Sequence, residues 1–491
     1  MHHLAFPFSS VPDYSERRRL GAAGICVVAV LLLAGCGSGP ALSTTTPSAT
    51  SMTAAVTVTQ SPTSGPAAVT VTAASHVTTL SDCAALTPAL CYGVRQFLTA
   101  YGVEPLRRQG IDGRGQSVVL LEFAPSQASS ATAAATNSDL RQDLASFDGL
   151  FDLPAARIQI VTRFAGASNP YLAGGEEAAD AEMVHAVAPA ATIRVVLLPE
   201  GNGHLQATGA TFIDALRLAP SLGSIVDITA GISEQCVTSS QAAKLNAALQ
   251  ADEDRRVTVI ASSGDNGAAG ISCTANPAPK LVRAVNLPAS DPLVLAVGGT
   301  TLTANKTSGT YISESVWSSP AGSLPAGAPK VPPSVLAELL PKGSNGGFSR
   351  LFARPSYQDG LAAIGQMRGV PDVAADAGSH TGMAIAFRLP PGNVVTPADG
   401  TSAASPFWAG LVALADQDAG HALGFINPTL YRIGRGSSYH RAFHDITTGN
   451  NSMSYKTGTV SGYQAAPGWD PVTGWGSPDA QVLVPLLAHG G

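Results

Sequence analysis

The chain has 491 residues, of which 45% are apolar and 13% are charged, and its formal net charge at pH 7 is −6. The acidic balance and the lack of a basic stripe exclude a typical nucleic-acid-binding protein, and the lack of repeated apolar 20-residue segments excludes a polytopic membrane protein. The apolar content is sufficient for a large core, and the low charged fraction suits an exported protein.

The N-terminus has the pattern of an export signal. Three arginines, Arg17 to Arg19, precede an apolar run from Leu20 to Ala34 that ends in Leu-Ala-Gly-Cys at Cys36. This order predicts a signal peptide with a lipobox over residues 1–36, in which Cys36 receives a lipid. The protein is then exported and either lipid-anchored at the outer face of the cell membrane or secreted. A plain signal peptide and an uncleaved anchor are the alternatives.

The next segment has an unusual composition. Between Gly37 and Leu80 there is no Asp, Glu, Lys or Arg, and Thr, Ser, Ala, Pro and Val dominate. Such a tract cannot build a core, so residues 37–81 are predicted to form a flexible tether. Residues 82–491 are then expected to fold as one domain.

Four cysteines follow the signal segment, which agrees with export. An even number of cysteines outside the cytoplasm indicates two disulfides. Cys83 and Cys91 are close in sequence, so we pair them and pair Cys236 with Cys273. Free buried thiols are the alternative. Zinc is disfavoured because no CxxC pair is present.

The body alternates apolar strand-like runs with helical stretches. Continuous apolar runs are typical of strands buried on both faces of a parallel sheet. The fold class predicted is therefore α/β, with a doubly wound, mainly parallel sheet flanked by helices. Functional sites in such folds lie at the carboxyl ends of the strands. The predicted strands lie in residues 117–121, 192–198, 224–229 and 257–261, and the clearest helices in residues 241–251 and 405–416.

A first candidate site pattern is an acidic pair on a helix that ends before Pro189. Glu176, Asp180, Val184 and Val187 share one face at helical spacing, and the valines indicate that this face is buried. Buried carboxylates are costly unless they are paired or used. The alternative is an acidic first turn in solvent, favoured by the helix dipole.

Two further candidates are turns that follow or precede apolar segments. Asp265 lies in a Gly-flanked turn after the 257–261 strand, and Ser402 follows Gly400-Thr401 where an apolar helix begins. A hydroxyl at a helix N-terminus is placed where the dipole stabilises developing negative charge. An ordinary turn for Asp265 and a simple Ser cap for Ser402 are the alternatives.

Taken together, these segments resemble the sedolisin family of serine-carboxyl peptidases over about residues 82–491. The resemblance implies a subtilisin-like fold and a peptidase active in acid. It assigns Ser402 as nucleophile, Glu176 as general base, Asp180 as the group orienting Glu176, and Asp265 as oxyanion donor. Glu177 is a rival base, and Glu122 matches an auxiliary Glu of some members. Supporting motifs are Val297-Gly298-Gly299-Thr300, Gly346-Gly347-Phe348-Ser349, Val370-Pro371-Asp372 and Asn427-Pro428.

The same resemblance implies one structural Ca²⁺ in a C-terminal calcium loop region. Its ligands would be the carboxylates of Asp445 and Asp470 and the carbonyls of Ile446, Ala466 and Gly468. Hard oxygen ligands from two loops suit Ca²⁺. Two ordinary turns are the alternative.

The resemblance has one departure within the body, and one rival function remains. Ala230 stands where many members have a Trp that extends the carboxylate hydrogen-bond network. Glu182-x-x-His185 would suit a dimetal carboxylate protein, but a second such motif is missing. The expected partner is a peptide or protein substrate of a monomeric enzyme. The alternative is a catalytically weak pseudopeptidase lipoprotein that binds peptides or cell-wall components.

Overall fold

The computed structural model describes most of the predicted body and one short segment before it. The predicted signal peptide and nearly all of the predicted tether lie outside the described residues. Among the residues described, no helix combines the length and the apolar character needed to cross a membrane. The described ranges are 69–71, 91–124, 138–164, 172–173, 175–199, 209–273, 280–319, 341–389, 392–455 and 458–490.

An eight-stranded sheet forms the centre of the fold. The strands are β1 (Ser117–Ala124), β2 (Arg157–Val161), β3 (Thr192–Pro199), β4 (Ile225–Ile228), β5 (Thr258–Ser262), β6 (Leu295–Ala304), β7 (Tyr311–Val316) and β8 (Val373–Asp376). Their order across the sheet is β7-β6-β5-β4-β1-β3-β2, with β8 paired to β6. All neighbours are parallel except β6 and β7. This confirms the mainly parallel sheet predicted from the apolar runs.

Helices cover both faces of this sheet. They are α1 (Val94–Ala100), α2 (Glu104–Arg108), α3 (Leu140–Phe151), α4 (Gly175–Val187), α5 (Ala210–Leu218), α6 (Ser239–Glu253), α7 (Thr401–Ala419), α8 (Asn427–Arg435), α9 (Tyr439–Ala442) and α10 (Ala480–Ala488). Short 3₁₀ turns occupy Ala219–Ser221, Glu234–Cys236 and Ser356–Gln358.

The side chains of β1 point alternately to the two faces of the sheet, and each face has its own hydrophobic core. Val118 and Leu120 pack into a core shared with α3, α4 and α7, whereas Val119 and Leu121 pack into a second core with α5 and α6. Because successive side chains of a strand point to opposite faces, one apolar run fills both cores.

The helices α4 and α7 approach each other closely at Gly410. A Cβ atom at this position would lie 2.6 Å from the Cβ of Val187, so only glycine fits without a shift. Both helices carry predicted site residues in their first turns, and this close packing brings those turns together.

Short antiparallel pairs surround the central sheet, and one of them involves the predicted tether. Val69–Val71 pairs with Gly392–Pro397, so the tether prediction is wrong for these three residues. Val-Thr-Val is β-branched and suits a strand once an edge is available. The remaining pairs are Ala384–Leu389 with Gly392–Pro397, Ala269–Ser272 with Lys280–Arg283, Ile232–Ser233 with Asn286–Leu287, Ser318–Ser319 with Lys342–Gly343, Gly347–Ala353 with Met367–Val370, Phe443–His444 with Ser477–Pro478, Met453–Tyr455 with Gly458–Val460, and Ser138–Asp139 with Leu172–Ala173.

Candidate active site

A cleft of about 650 Å³ opens at the carboxyl ends of the central strands. Its acidic and hydroxyl-bearing lining comes from segments far apart in sequence: the end of β1, the turns after β4 and β5, and the first turns of α4 and α7. Three of the four predicted catalytic residues line it. The lining residues include Glu122, Glu176, Glu177, Ala230, Cys236, Asp265, Ile271, Cys273, Thr401 and Ser402.

Ser402 and Glu176 face each other across the cleft. Burial raises the pKa of Glu176 to about 7, the nearby Ser402 hydroxyl opposes this rise, and the negative charge of Asp265 adds to it. The Glu176 side chain is still exposed to the open cleft, although protein surrounds it. Water in the open cleft can therefore solvate this carboxylate, which favours the ionised form that a base requires.

Asp180 lies one turn further along α4 and is paired with Glu122 of β1. The exposed fractions of the two residues are 1% and 3%. Burial is the largest cause of a raised pKa for both groups, and each carboxyl acts on the pKa of the other. Two buried carboxyl groups this close cannot both ionise, so the pair holds a proton. The sequence predicts that Asp180 orients Glu176, whereas the carboxyl that interacts most with Asp180 here is that of Glu122, and Glu176 acts on Asp180 through its charge.

Asp265 is held by the turn that precedes the nucleophile candidate. Its Oδ1 accepts hydrogen bonds from the backbone N–H of Thr401 at 2.9 Å and from the Thr401 hydroxyl at 2.8 Å. The Thr401 hydroxyl in turn accepts from the N–H of Gly264 at 3.0 Å. Burial raises the pKa of Asp265, the bonds from Thr401 lower it, and the nearby charge of Asp399 raises it further.

Gly400 creates the space in which the two groups converge. A Cβ atom at this position would lie 2.8 Å from Oδ2 of Asp265 and 3.1 Å from Oγ of Ser402. The backbone φ of Gly400 is +89°, a region that residues with a side chain rarely adopt. Because Thr401 occupies Oδ1, Oδ2 is the oxygen that faces the reacting space.

The space above Gly400 gives a testable prediction. We expect Gly400→Ala to lower peptidase activity about 100-fold, because a misplacement of about 1 Å at a reacting centre has an effect of that size. The matched control is Gly420→Ala at the other end of α7, where φ is +73° but no atom lies within 4 Å of the new Cβ. Both substitutions strain the backbone, but only the first fills the site. Equal activity losses in the two variants would contradict this interpretation.

One wall of the cleft contains a disulfide. Cys236 and Cys273 form a disulfide, which confirms the predicted pairing, and both line the cleft. Ala230 and Ile271 line the same cleft, with Ile271 on a hairpin at 48% exposure. Cys91 is disulfide-bonded as well, whereas Cys83 lies outside the described residues.

The two predicted calcium loops lie side by side. The N–H of Gly468 donates to both carboxylate oxygens of Asp445 at 3.1 Å, and the N–H of Ala466 donates to Oδ2 of Asp470 at 3.1 Å. Asp470 is 1% exposed, and so is Ile446. Within the described ranges no three acidic, His or Cys side chains form a metal-binding group. Any calcium site here therefore depends on two carboxylates supplemented by carbonyls.

The Glu182-x-x-His185 pattern has a structural explanation. His185 lies 3.0 Å from Asp148 of α3, and Glu182 accepts a hydrogen bond from the N–H of Ala386 at 2.8 Å. Both side chains are fully buried between α4 and its neighbours. They pack α4 in place and do not line the cleft.

Sequence reasoning missed two residues close to the site. Thr401 organises Asp265, and a hydroxyl directly before the candidate nucleophile was the available signal. Asp227 lies buried in β4 at 1% exposure. Its signal was a single charged residue in the middle of an apolar strand, which is costly to bury without a purpose.

The chain is similar to known peptidases. The subtilase family (peptidase S8) matches residues 165–428, more than half of the chain. Kumamolisin of Bacillus sp. (strain MN-32) is 33% identical over 396 residues, covering 77% of this chain and 61% of its own. Human tripeptidyl-peptidase 1 is 27% identical over 367 residues, covering 71% of this chain and 58% of its own. The chain thus spans about 60% of the length of these relatives.

A solved structure shows the same fold. Pseudomonas sedolisin, a serine-carboxyl proteinase complexed with two molecules of pseudo-iodotyrostatin, superposes with a TM-score of 0.63 at 24% identity. The match covers 81% of this chain and 97% of that one.

Proposed function

The chain belongs to the subtilase family, in its sedolisin branch, and on that premise we propose that it is an acid-acting serine-carboxyl peptidase. The observation that carries this proposal is the convergence of Ser402, Glu176 and Oδ2 of Asp265 in one cleft, with the Ser402 hydroxyl near the Glu176 carboxylate. A hydroxyl, a base and a potential oxyanion donor then surround one point in the cleft. Such convergence is what acyl transfer requires.

In the first step the Ser402 oxygen attacks the carbonyl carbon of the substrate. Glu176 accepts the hydroxyl proton as the new C–O bond forms, and the carbonyl oxygen becomes the oxyanion. When the intermediate collapses, the C–N bond breaks and the proton passes from Glu176 to the leaving amine. An acyl-enzyme on Ser402 remains. In its hydrolysis Glu176 accepts a proton from the attacking water and then returns it to the Ser402 oxygen.

Asp265 would stabilise the oxyanion as a neutral acid. Only the protonated carboxyl can donate from Oδ2, and burial favours that form. The two bonds from Thr401 hold Oδ1, so the carboxyl is oriented before the substrate arrives. A donor fixed in advance stabilises the developing charge without reorganisation. A carboxyl donor of this kind and a carboxylate base both suit acid conditions, in which a His base would be protonated.

The proposed function is tested by hydrolysis of a denatured protein and of short peptides between about pH 3 and 6. We expect the purified chain to cleave them and Ser402→Ala to lose at least about 1,000-fold in kcat, because the nucleophile is removed while its volume is nearly kept. N-blocked and free peptides, compared in parallel, separate endopeptidase from tripeptidyl-peptidase action.

Two results would overturn the proposal. Equal rates in wild type and Ser402→Ala would place the chemistry elsewhere. Peptide binding without hydrolysis in either protein would favour the pseudopeptidase alternative.

We also propose that the C-terminal loops hold one Ca²⁺. The proposed ligands are the carboxylates of Asp445 and Asp470 with the carbonyls of Ile446, Ala466 and Gly468. Both carboxylates contact the same short loop, because Asp445 accepts from the N–H of Gly468 and Asp470 accepts from the N–H of Ala466. Within the described residues neither of them forms an ion pair with a basic side chain. A hard divalent cation would neutralise this pair, and its charge would fix both loops.

Calcium removal should therefore destabilise the protein. We expect chelation to lower the Tm by several degrees and added Ca²⁺ to restore it, because an ion that binds only the folded state stabilises that state. Asp445→Asn should remove most of this response, whereas Asp359→Asn, a change at a surface ion pair, should leave it intact. An unchanged Tm after chelation of the wild type would contradict the site.

Export and lipid attachment at Cys36 complete the proposal. The disulfide between Cys236 and Cys273 supports an oxidising compartment. A lipid on Cys36 would hold the peptidase at the outer face of the membrane, where it would act on peptide or protein substrates.

A further inference from the structure

Asp227 is a buried acid that the catalytic scheme above does not use. It lies in β4, opposite Leu120 of β1 on one side and Ile260 of β5 on the other. Leu120 and Ile260 both belong to the core shared with α4 and α7. The Asp227 side chain therefore points into the layer beneath the two helices that carry Glu176 and Ser402.

The groups that face Asp227 come from three elements. Glu122 lies two residues beyond Leu120 on the same face of β1, and Asp180 lies above it on α4. The negative charge of Asp227 acts on both of these carboxyls. From α7 the Ser405 hydroxyl approaches its carboxyl, one turn after Ser402. From β5 the neighbour is the apolar Ile260.

Asp227 has no conventional partner in this layer. The Ser405 hydroxyl and the N–H of Ile228 approach its carboxyl and oppose the rise that burial causes in its pKa. Within the described part of the chain, neither carboxylate oxygen has a hydrogen-bond donor at normal distance, and the Ser405 hydroxyl also lacks a partner at that distance. No basic group contributes to its electrostatic environment, which burial dominates. An isolated anion would be very costly here, so the group is a neutral acid at the pH of the proposed reaction.

We propose that Asp227 is a positioning residue for this reaction, one that extends the Glu122–Asp180 pair and connects it to the helix bearing Ser402. The proposal rests on the peptidase function inferred above. Asp227 acts through its own ionisation. When the pH rises, Asp227 ionises, and its charge helps the Glu122–Asp180 pair to retain the proton that joins them. Asp180 then keeps its place behind Glu176 to a higher pH.

The test is the pH dependence of kcat/KM in Asp227→Asn. Asn keeps the size of the side chain but removes the ionisation, so the alkaline limb should move toward acid by about one pH unit, because a like charge near the pair is lost. Activity at the optimum should change less than about threefold, since Asn resembles the neutral acid. The matched control is Asp416→Asn, a buried acid of α7 that bonds Ser224 and Leu423 away from the pair.

The outcomes separate this proposal from the peptidase function. If the alkaline limb of the kcat/KM profile is unchanged in Asp227→Asn, or if activity falls equally at every pH, the positioning role is wrong. The peptidase function would still stand in either case. An equal shift in Asp416→Asn would also overturn it.

Infrared absorption of protonated carboxyl groups gives a readout that does not need activity. Titrated from pH 5 to 9, Asp227→Asn should lose the proton of the Glu122–Asp180 pair at lower pH than wild type, and Glu122→Gln should remove that signal. If the wild type hydrolyses nothing, the peptidase function fails while this titration still decides whether Asp227 is coupled to the pair. Identical titrations of the pair in wild type and Asp227→Asn would overturn the coupling.

Discussion

Glu176→Gln is expected to lower kcat about 1,000-fold while the protein folds normally. The substitution keeps the shape of the side chain and removes only its capacity to accept the Ser402 proton, and general-base catalysis typically contributes an effect of about this size. The Glu176 side chain is exposed to the cleft, so its replacement does not disturb the core. The measurement is kcat at the optimal pH, with circular dichroism to verify the fold.

The neighbouring acid is the matched control for this prediction. Glu177 also lines the cleft, but the pKa effect of the Ser402 hydroxyl is on Glu176. Glu177→Gln should therefore lose less than about tenfold in kcat, because it would alter only the electrostatic surroundings of the base. The reverse order, with Glu177→Gln inactive and Glu176→Gln active, would assign the base to Glu177 instead.

The free energy of unfolding is expected to decrease as the pH rises from about 4 to 8. Burial raises the pKa of Asp227 to about 8 and that of Asp376 to about 7. In this interval the folded protein holds protons that the unfolded chain has released, so the unfolded state gains stability with every step in pH. Two such groups give a loss on the order of 8 kcal/mol. Urea unfolding at several pH values measures it.

Asp376→Asn isolates one of these contributions. Its Oδ1 accepts from the N–H of Leu302 at 2.8 Å and the hydroxyl of Thr381 at 2.7 Å, and Asn keeps that acceptor. The variant should match wild type near pH 4 and be more stable near pH 8, because it has no proton to lose. Asp214→Asn, on the surface at 58% side-chain exposure, should follow the wild-type curve. Maximal wild-type stability near pH 8 would contradict the prediction.

The fold was accessible from sequence because its determinants are local. Residues 118–121 and 195–198 are apolar at every position, which is typical of strands covered on both faces. The helix over Gly175–Val187 also follows from local spacing, with Pro189 just beyond its end. Val69–Val71 was wrongly included in a tether because its strand depends on an edge that a distant hairpin provides.

The candidate site was likewise predicted in part from the sequence, while other features depended on the tertiary structure. The residue types and their order along the chain indicated Glu176, Asp180, Asp265 and Ser402, and the structure places all four around the cleft or directly behind it. The interaction between the Asp180 and Glu122 carboxyls could not be predicted from the spacing on α4. It depends on which strand lies beneath that helix, a matter of sheet order and register.

The sequence by itself determined an α/β fold and an order of motifs resembling one peptidase family, and it predicted the disulfide between Cys236 and Cys273 that the structure contains. Periodicity, composition and short motifs carry that information because they act over a few residues. Only the tertiary structure decided that Oδ2 of Asp265 and Oγ of Ser402 face one space above Gly400, and that Asp227 lies in the layer beneath them. Those relations join segments far apart along the chain, and packing and strand register alone bring them together.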